Sequence, residues 1–180
     1  MRNTEMTMID NFNLDSIRFL VFDPKIHILP KMQLKQSNGE DPLEVQSYYE
    51  SIIKGNSFNN ELLYVIKYKT ETIGFFCIAS ATVEPDFSNV DNPITQDKNS
   101  LIRALLISKI GIDQNYRCFG LGKYILQYCI GLAINLKEIE KFDIVVFRTT
   151  KSLAQKIYCL KYNFKMIKGD ENLVWVYKKI

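Results

Sequence analysis

The chain has 180 residues, is 47% hydrophobic and 24% charged, and contains only 8 glycines and 5 prolines. These proportions exclude collagen-like, low-complexity and disordered chains, and the length suits one domain that buries roughly 70% of its unfolded surface. Net charge is +3, but residues 1–90 carry 8 Lys/Arg against 12 Asp/Glu while residues 91–180 carry 15 against 8, so the second half is predicted to face a phosphorylated cofactor, a nucleic acid or both.

No apolar run reaches the 18 residues of a membrane helix, and residues 1–10 lack the basic start and apolar stretch of a signal peptide. The expectation is a cytoplasmic, single-domain protein over residues 1–180 with no membrane partner. In chain order, IRFLVF (Ile17–Phe22) reads as a strand. PLEVQSYYESII (Pro42–Ile53) reads as a helix opened by Asp41 with proline at its first position. LLYVIKY (Leu62–Tyr68) and IGFFCIA (Ile73–Ala79) read as an antiparallel hairpin around KTET. Two prolines and several Asp/Asn residues make Glu84–Ser100 a loop. IRALLISKIGI (Ile102–Ile112) is a strand long enough to cross a sheet.

After Gly120, the residues Leu121, Tyr124, Ile125, Tyr128, Leu132 and Leu136 recur at spacings of three and four, which predicts a helix with that face in the core. Phe142–Phe147 reads as a buried strand, Ser152–Tyr158 as a short helix capped by its serine, and the tail as a hairpin of KMI and LVWVY around KGDEN. The order is β, α, β, β, β, α, β, α, β, β. Cys77, Cys118, Cys129 and Cys159 contain no CxxC pair, so they read as free thiols and no metal site is predicted. His27, the only histidine, sits in DPKIHILP and reads as a loop or edge-strand residue; a nucleophilic triad would depend on it alone.

The most informative segment is RCFGLGK, Arg117–Lys123, where a long strand hands over to an amphipathic helix. The first amides of a helix have no partner within it and sit at the positive end of its dipole. Glycine lets a phosphate approach that backbone, and Arg117 and Lys123 add charge. A dinucleotide fingerprint would need a third glycine where Ile125 stands, and a Walker loop would need four residues between its glycines.

Arg-x-x-Gly-x-Gly after a long strand, then a helix, a buried strand, a short helix and Asn-Phe near the end, resembles the GCN5-related N-acetyltransferase (GNAT) superfamily over roughly Leu62 to Tyr177. The resemblance implies an α/β (α+β) fold: a mixed, mostly antiparallel central sheet flanked by helices. It implies acetyl-CoA as co-substrate and an N-acetyltransferase acting on a primary amine. The turn from Arg117 through Cys118, Phe119, Gly120, Leu121 and Gly122 to Lys123 would bind the pyrophosphate. The backbone of Ile110, Gly111 and Ile112 would hold pantetheine, with Gly111 as a bulge.

The family commonly uses a tyrosine to protonate the departing thiolate. Here YCLKYNF is one residue too long for the usual pattern: counting from Ala154 selects Tyr158, counting back from Phe164 selects Cys159, and Tyr162 is a rival. Tyr158 is the choice, because a phenol is the better donor. Asn163 stands where glycine is usual and is the residue type next most tolerant of positive φ.

No strong general base stands on the central strands, although Glu84 and Asp113 could act through water. That favours an acceptor with a weakly basic amine, since an α-amine near pKa 7.7 is about one third neutral at pH 7.4 and a lysine amine about one part in a thousand. A weaker resemblance, carried by IGFFCIASA, the polar loop after it and ALLISKIGID, is to the GNAT toxins of toxin–antitoxin modules, and implies aminoacyl-tRNA as acceptor. A small-molecule amine, a peptide N-terminus, a homodimer and a non-catalytic CoA-binding module all remain compatible with the sequence.

Overall fold

The computed structural model describes residues 12–55, 60–83, 101–167, 169 and 171–180. The predicted loop Glu84–Ser100, with Glu84 as candidate base, lies outside the described residues. Seven strands form one sheet in the order β1-β2-β3-β4-β5-β7-β6: β1 Ile17–Val21, β2 Leu62–Tyr68, β3 Glu71–Val83, β4 Ile102–Ile112, β5 Ile144–Thr150, β6 Lys165–Ile167 and β7 Leu173–Lys179. All neighbours are antiparallel except β4 and β5, which run parallel. The helices are α1 Val45–Ile53, α2 Leu121–Asn135 and α3 Lys137–Glu140, followed by a continuous helical segment made of α4 Lys151–Leu153, a π-turn Ala154–Cys159 and α5 Leu160–Tyr162. No helix among the described residues is long and apolar enough to cross a membrane. All four cysteines are free.

Helix α1 starts three residues later than the proline signal predicts. The Asp41 carboxylate accepts the amides of Val45 at 2.7 Å and Gln46 at 3.0 Å across a Pro42–Leu43 turn, so it caps α1 from a distance. Helix α2 is also rotated relative to prediction. Leu121, Ile125, Leu126, Cys129 and Ala133 are buried, whereas Tyr124 is 37% exposed and meets the Phe19 ring at a tilt at the rim. The small Cys129 and Ala133 let the helix axis approach the sheet, which leaves the tyrosines to fill the margin; each fully buried side chain such as Ile125 contributes about 1.5–3 kcal/mol.

Two cores result. On the α2 face, Ile125 and Cys129 join Ile107, Val145, Phe147 and Val176; on the other face, Val45, Tyr49 and Ile52 of α1 cover Leu63, Phe75 and Cys77. The helix predicted over Ser152–Tyr158 is longer, and its cap is Thr150, whose Oγ1 accepts the Leu153 amide at 3.4 Å. Strand β5 reaches Thr150, past the apolar run, because β7 continues to pair with it through Thr150↔Leu173.

Candidate active site

Strands β4 and β5 are paired only from Ala104↔Ile144 to Ile107↔Phe147. Beyond that point they part. On the β3 side of β4 the register jumps from Ile78↔Ile107 to Cys77↔Lys109, so Ser108 is the bulged residue. The expected bulge at Gly111 is therefore corrected: Gly111 pairs regularly with Phe75. Its lack of a side chain serves packing, since a Cβ there would collide with the Phe75 ring and lie 3.0 Å from Val45.

The gap between the strands opens into a cleft of about 580 Å³ lined by Leu43, Glu44 and Val45 ahead of and within α1, Ser108 to Ile110 and Ile112 on β4, Gly122 on α2, Arg148 and Thr149 on β5, and Tyr158. Lys109 lines it too, but its Nζ donates to the Leu43 carbonyl at 2.6 Å and lies 5.7 Å from the Tyr48 ring centre, so the ammonium is engaged. Glu44 is the only carboxylate among the described residues that line the cleft.

The start of α2 is bare. Gly120 sits at φ 84°, a left-handed conformation suited to glycine, and no side chain caps the helix. The Tyr124 amide bonds the Gly120 carbonyl at 3.1 Å, which closes the first turn and leaves the amides of Leu121, Gly122 and Lys123 without partners inside the helix. A Cβ on Gly122 would meet nothing within 4 Å, and Gly122 lines the cleft, so this first turn borders open space.

Arg117 points elsewhere. Its guanidinium donates to the carbonyls of Ile112 at 3.0 Å, Lys35 at 2.8 Å and Gln33 at 3.4 Å, tying the end of β4 to the irregular segment before α1. Cys118 takes φ 67° and is exposed. Phe119 stacks on Phe12 at 4.5 Å, beneath the turn. Asp113 has its Oδ2 on the Gln33 amide at 2.9 Å and its Oδ1 on the Asn115 amide at 3.0 Å; it braces the same junction, with both oxygens occupied by backbone donors. His27 accepts the Asp23 amide at 2.9 Å within its own turn.

Tyr158 lines the cleft, while Cys159 and Tyr162 do not. The π-turn Ala154–Cys159 takes up the extra residue in YCLKYNF, as single-turn π-bulges do, and Asn163 then ends the segment at φ 57°. The Tyr158 ring packs edge-on against Phe147 at 4.8 Å. Burial pushes its phenol above the ordinary value, a hydrogen bond with Thr149 pulls it partly back, and Tyr162 adds a further push upward. The group is thus a neutral O–H donor at neutral pH. Thr149, Arg148 and the residues before α1 carried no signal in the sequence, because isolated strand and loop residues form no motif.

No protein-family model and no curated protein matches the chain. Solved structures do. AtaTR bound with acetyl-CoA superposes with TM-score 0.69 at 9% identity, covering 92% of this chain and 95% of that one. The chain has the GNAT fold. A Tyr-to-Phe mutant of the AtaT toxin bound to the C-terminus of the antitoxin AtaR matches with TM-score 0.68 at 8% identity, over 92% and 94% of the two chains. AtaT complexed with acetyl-methionyl-tRNAfMet matches with TM-score 0.57 at 10% identity, over 81% and 92%.

Proposed function

We propose that the protein is an acetyl-CoA-dependent N-acetyltransferase whose acceptor is the α-amine of an aminoacyl-tRNA. One observation carries the reading: the phenol of Tyr158 and the uncapped start of α2 open onto the same cleft. The residues fit the coenzyme. The amides of Leu121, Gly122 and Lys123 would take its diphosphate, with Lys123 adding charge. The edge of β4 from Ser108 to Ile110, past the last pair with β5, would take pantetheine. Arg117 and Phe119 position this cradle by fixing the strand-to-helix junction from behind, and the Ile112 carbonyl is already occupied by Arg117.

Bound acetyl-CoA supplies a thioester. Tyr158 holds a proton at its Oη toward the cleft. Full transfer from a phenol of pKa 10 or above to a thiolate near 8.5 is uphill by about 2 kcal/mol or more, so Tyr158 contributes a hydrogen bond to the developing thiolate. With Lys109 and Asp113 engaged, the cleft favours an amine that is already largely neutral, which an aminoacyl ester provides. Similar structures are AtaTR bound with acetyl-CoA and AtaT complexed with acetyl-methionyl-tRNAfMet, which supports this acceptor class.

The test incubates the purified protein with labelled acetyl-CoA and, side by side, aminoacyl-tRNA, polyamines and N-terminal peptides. Label on the tRNA is the expected result. Label only on polyamines or peptides would overturn the acceptor, and label on none would overturn the enzymatic reading.

A further inference from the structure

The wall of the cleft opposite β4 carries a feature that the coenzyme cradle does not use. Trp175 on β7 lies directly across from Arg148 on β5, and both line the cleft. Its neighbours Val174 and Val176 are buried in the core on the α2 face. By strand alternation, Trp175 is on the face away from α2, where it is 37% exposed. Directly opposed side chains on one face of an antiparallel pair stand about 5 Å apart at Cβ, so the indole and the guanidinium share one surface. Arg148 is the cation of this wall, on the same strand face as the indole.

We propose that Trp175, flanked by Arg148, is the stacking platform for the 3′-terminal base of the acceptor tRNA, with Arg148 facing the adjoining phosphate. This rests on the acceptor proposed above. A single-stranded nucleotide end needs an aromatic face for its base and positive charge for its backbone, and Trp175 and Arg148 supply both within the cleft that Tyr158 lines. Coenzyme A also carries an adenine. Its diphosphate would sit at Gly122, on the α2 face, whereas Trp175 opens on the other face, so the platform is assigned to the tRNA.

Trp175 is the only tryptophan in the chain, so intrinsic fluorescence reports this place alone. The trinucleotide CCA, added to protein saturated with CoA, is expected to quench it. Quenching by CoA alone with no further effect of CCA would overturn the assignment. In steady-state assays, Trp175→Ala is expected to raise KM for aminoacyl-tRNA about tenfold or more, the size of one base stack, with kcat within about twofold. KM for acetyl-CoA and transfer to an amino-acid methyl ester, which has no base, should not change. Trp175→Phe keeps an aromatic face and should recover most of the loss, which guards against a folding defect in the alanine variant. Wild-type transfer to tRNA with an unaltered KM in both variants would overturn the platform and leave the acceptor standing. Absence of wild-type transfer to tRNA would overturn the acceptor itself, and the platform with it.

Discussion

The two halves of β4 belong to one strand but differ in their neighbours. From Ala104 to Ile107 the strand is zipped between β3 and β5, and its side chains fill the cores on both faces. From Ser108 onward it keeps β3 but has parted from β5, and Ser108, Lys109, Ile110 and Ile112 line a cleft. A single bulged residue and the divergence of one parallel neighbour separate a packed wall from a binding site, which is how bulges next to functional sites generally act. In the first half a backbone atom answers only to packing. In the second it is available to a ligand, and substitutions should therefore separate stability from binding.

The largest effect is expected at Tyr158. Tyr158→Phe removes only the donor at the open half, and kcat should fall by about a hundredfold. Melting temperature and the KM for acetyl-CoA should stay near wild type. Tyr162→Phe and Cys159→Ser, on residues outside the cleft, should keep most of the activity. A fall confined to Tyr162→Phe would show that the π-turn resolves the extra residue the other way.

Two glycines make the sharpest pair. Gly111→Ala drives a Cβ into the Phe75 ring and against Val45; overpacking of this kind costs about 1–3 kcal/mol, read as a drop of several degrees in melting temperature. Gly122→Ala meets nothing within 4 Å and exchanges glycine for the best helix former, so stability should hold or rise by up to about 1 kcal/mol. Its methyl group enters the space before an uncapped amide, and the dissociation constant for acetyl-CoA, measured by calorimetry, should rise about tenfold. Equal effects of the two substitutions on both readouts would break the distinction between the halves.

How much of this was legible in the sequence depends on how local the cause is. The hairpin β2–β3 and the start of α2 were readable, because β-branched runs around KTET and two glycines before an apolar helical face act within a few residues. The role of Gly111 was not, because its reason is Phe75, a cross-strand neighbour 36 positions away. Arg117 reads as an anion ligand by type, yet its guanidinium is held by carbonyls more than 80 residues distant for two of its bonds. The extra residue in YCLKYNF was visible, but which side chain it delivers depends on helical winding that no spacing rule encodes. Trp175 is legible only as a strand residue; its place beside the cleft follows from β7 lying next to β5.

The smallest effect tests the packed regions against the cleft by pH. Cys77 under α1 and Cys129 on α2 are buried on opposite faces of the sheet, and burial pushes both thiols up to about 12 from 9.0. A folded value above the unfolded one means that their contribution is intact below pH 9 and is lost as pH climbs from 9 toward 12, because the unfolded chain ionises first. At pH 9 the loss is about 0.4 kcal/mol per thiol, measurable as a shallow fall in denaturation midpoint that Cys129→Ala should halve. Tyr158 is also raised, so its phenol stays protonated above its ordinary 10. Initial rates with saturating acceptor should therefore remain level from pH 8.5 to pH 10 while stability declines. A rate that falls in step with phenol ionisation at its ordinary value would mean that Tyr158 is solvated rather than held against Phe147, and would dissolve the contrast between the packed half and the open one.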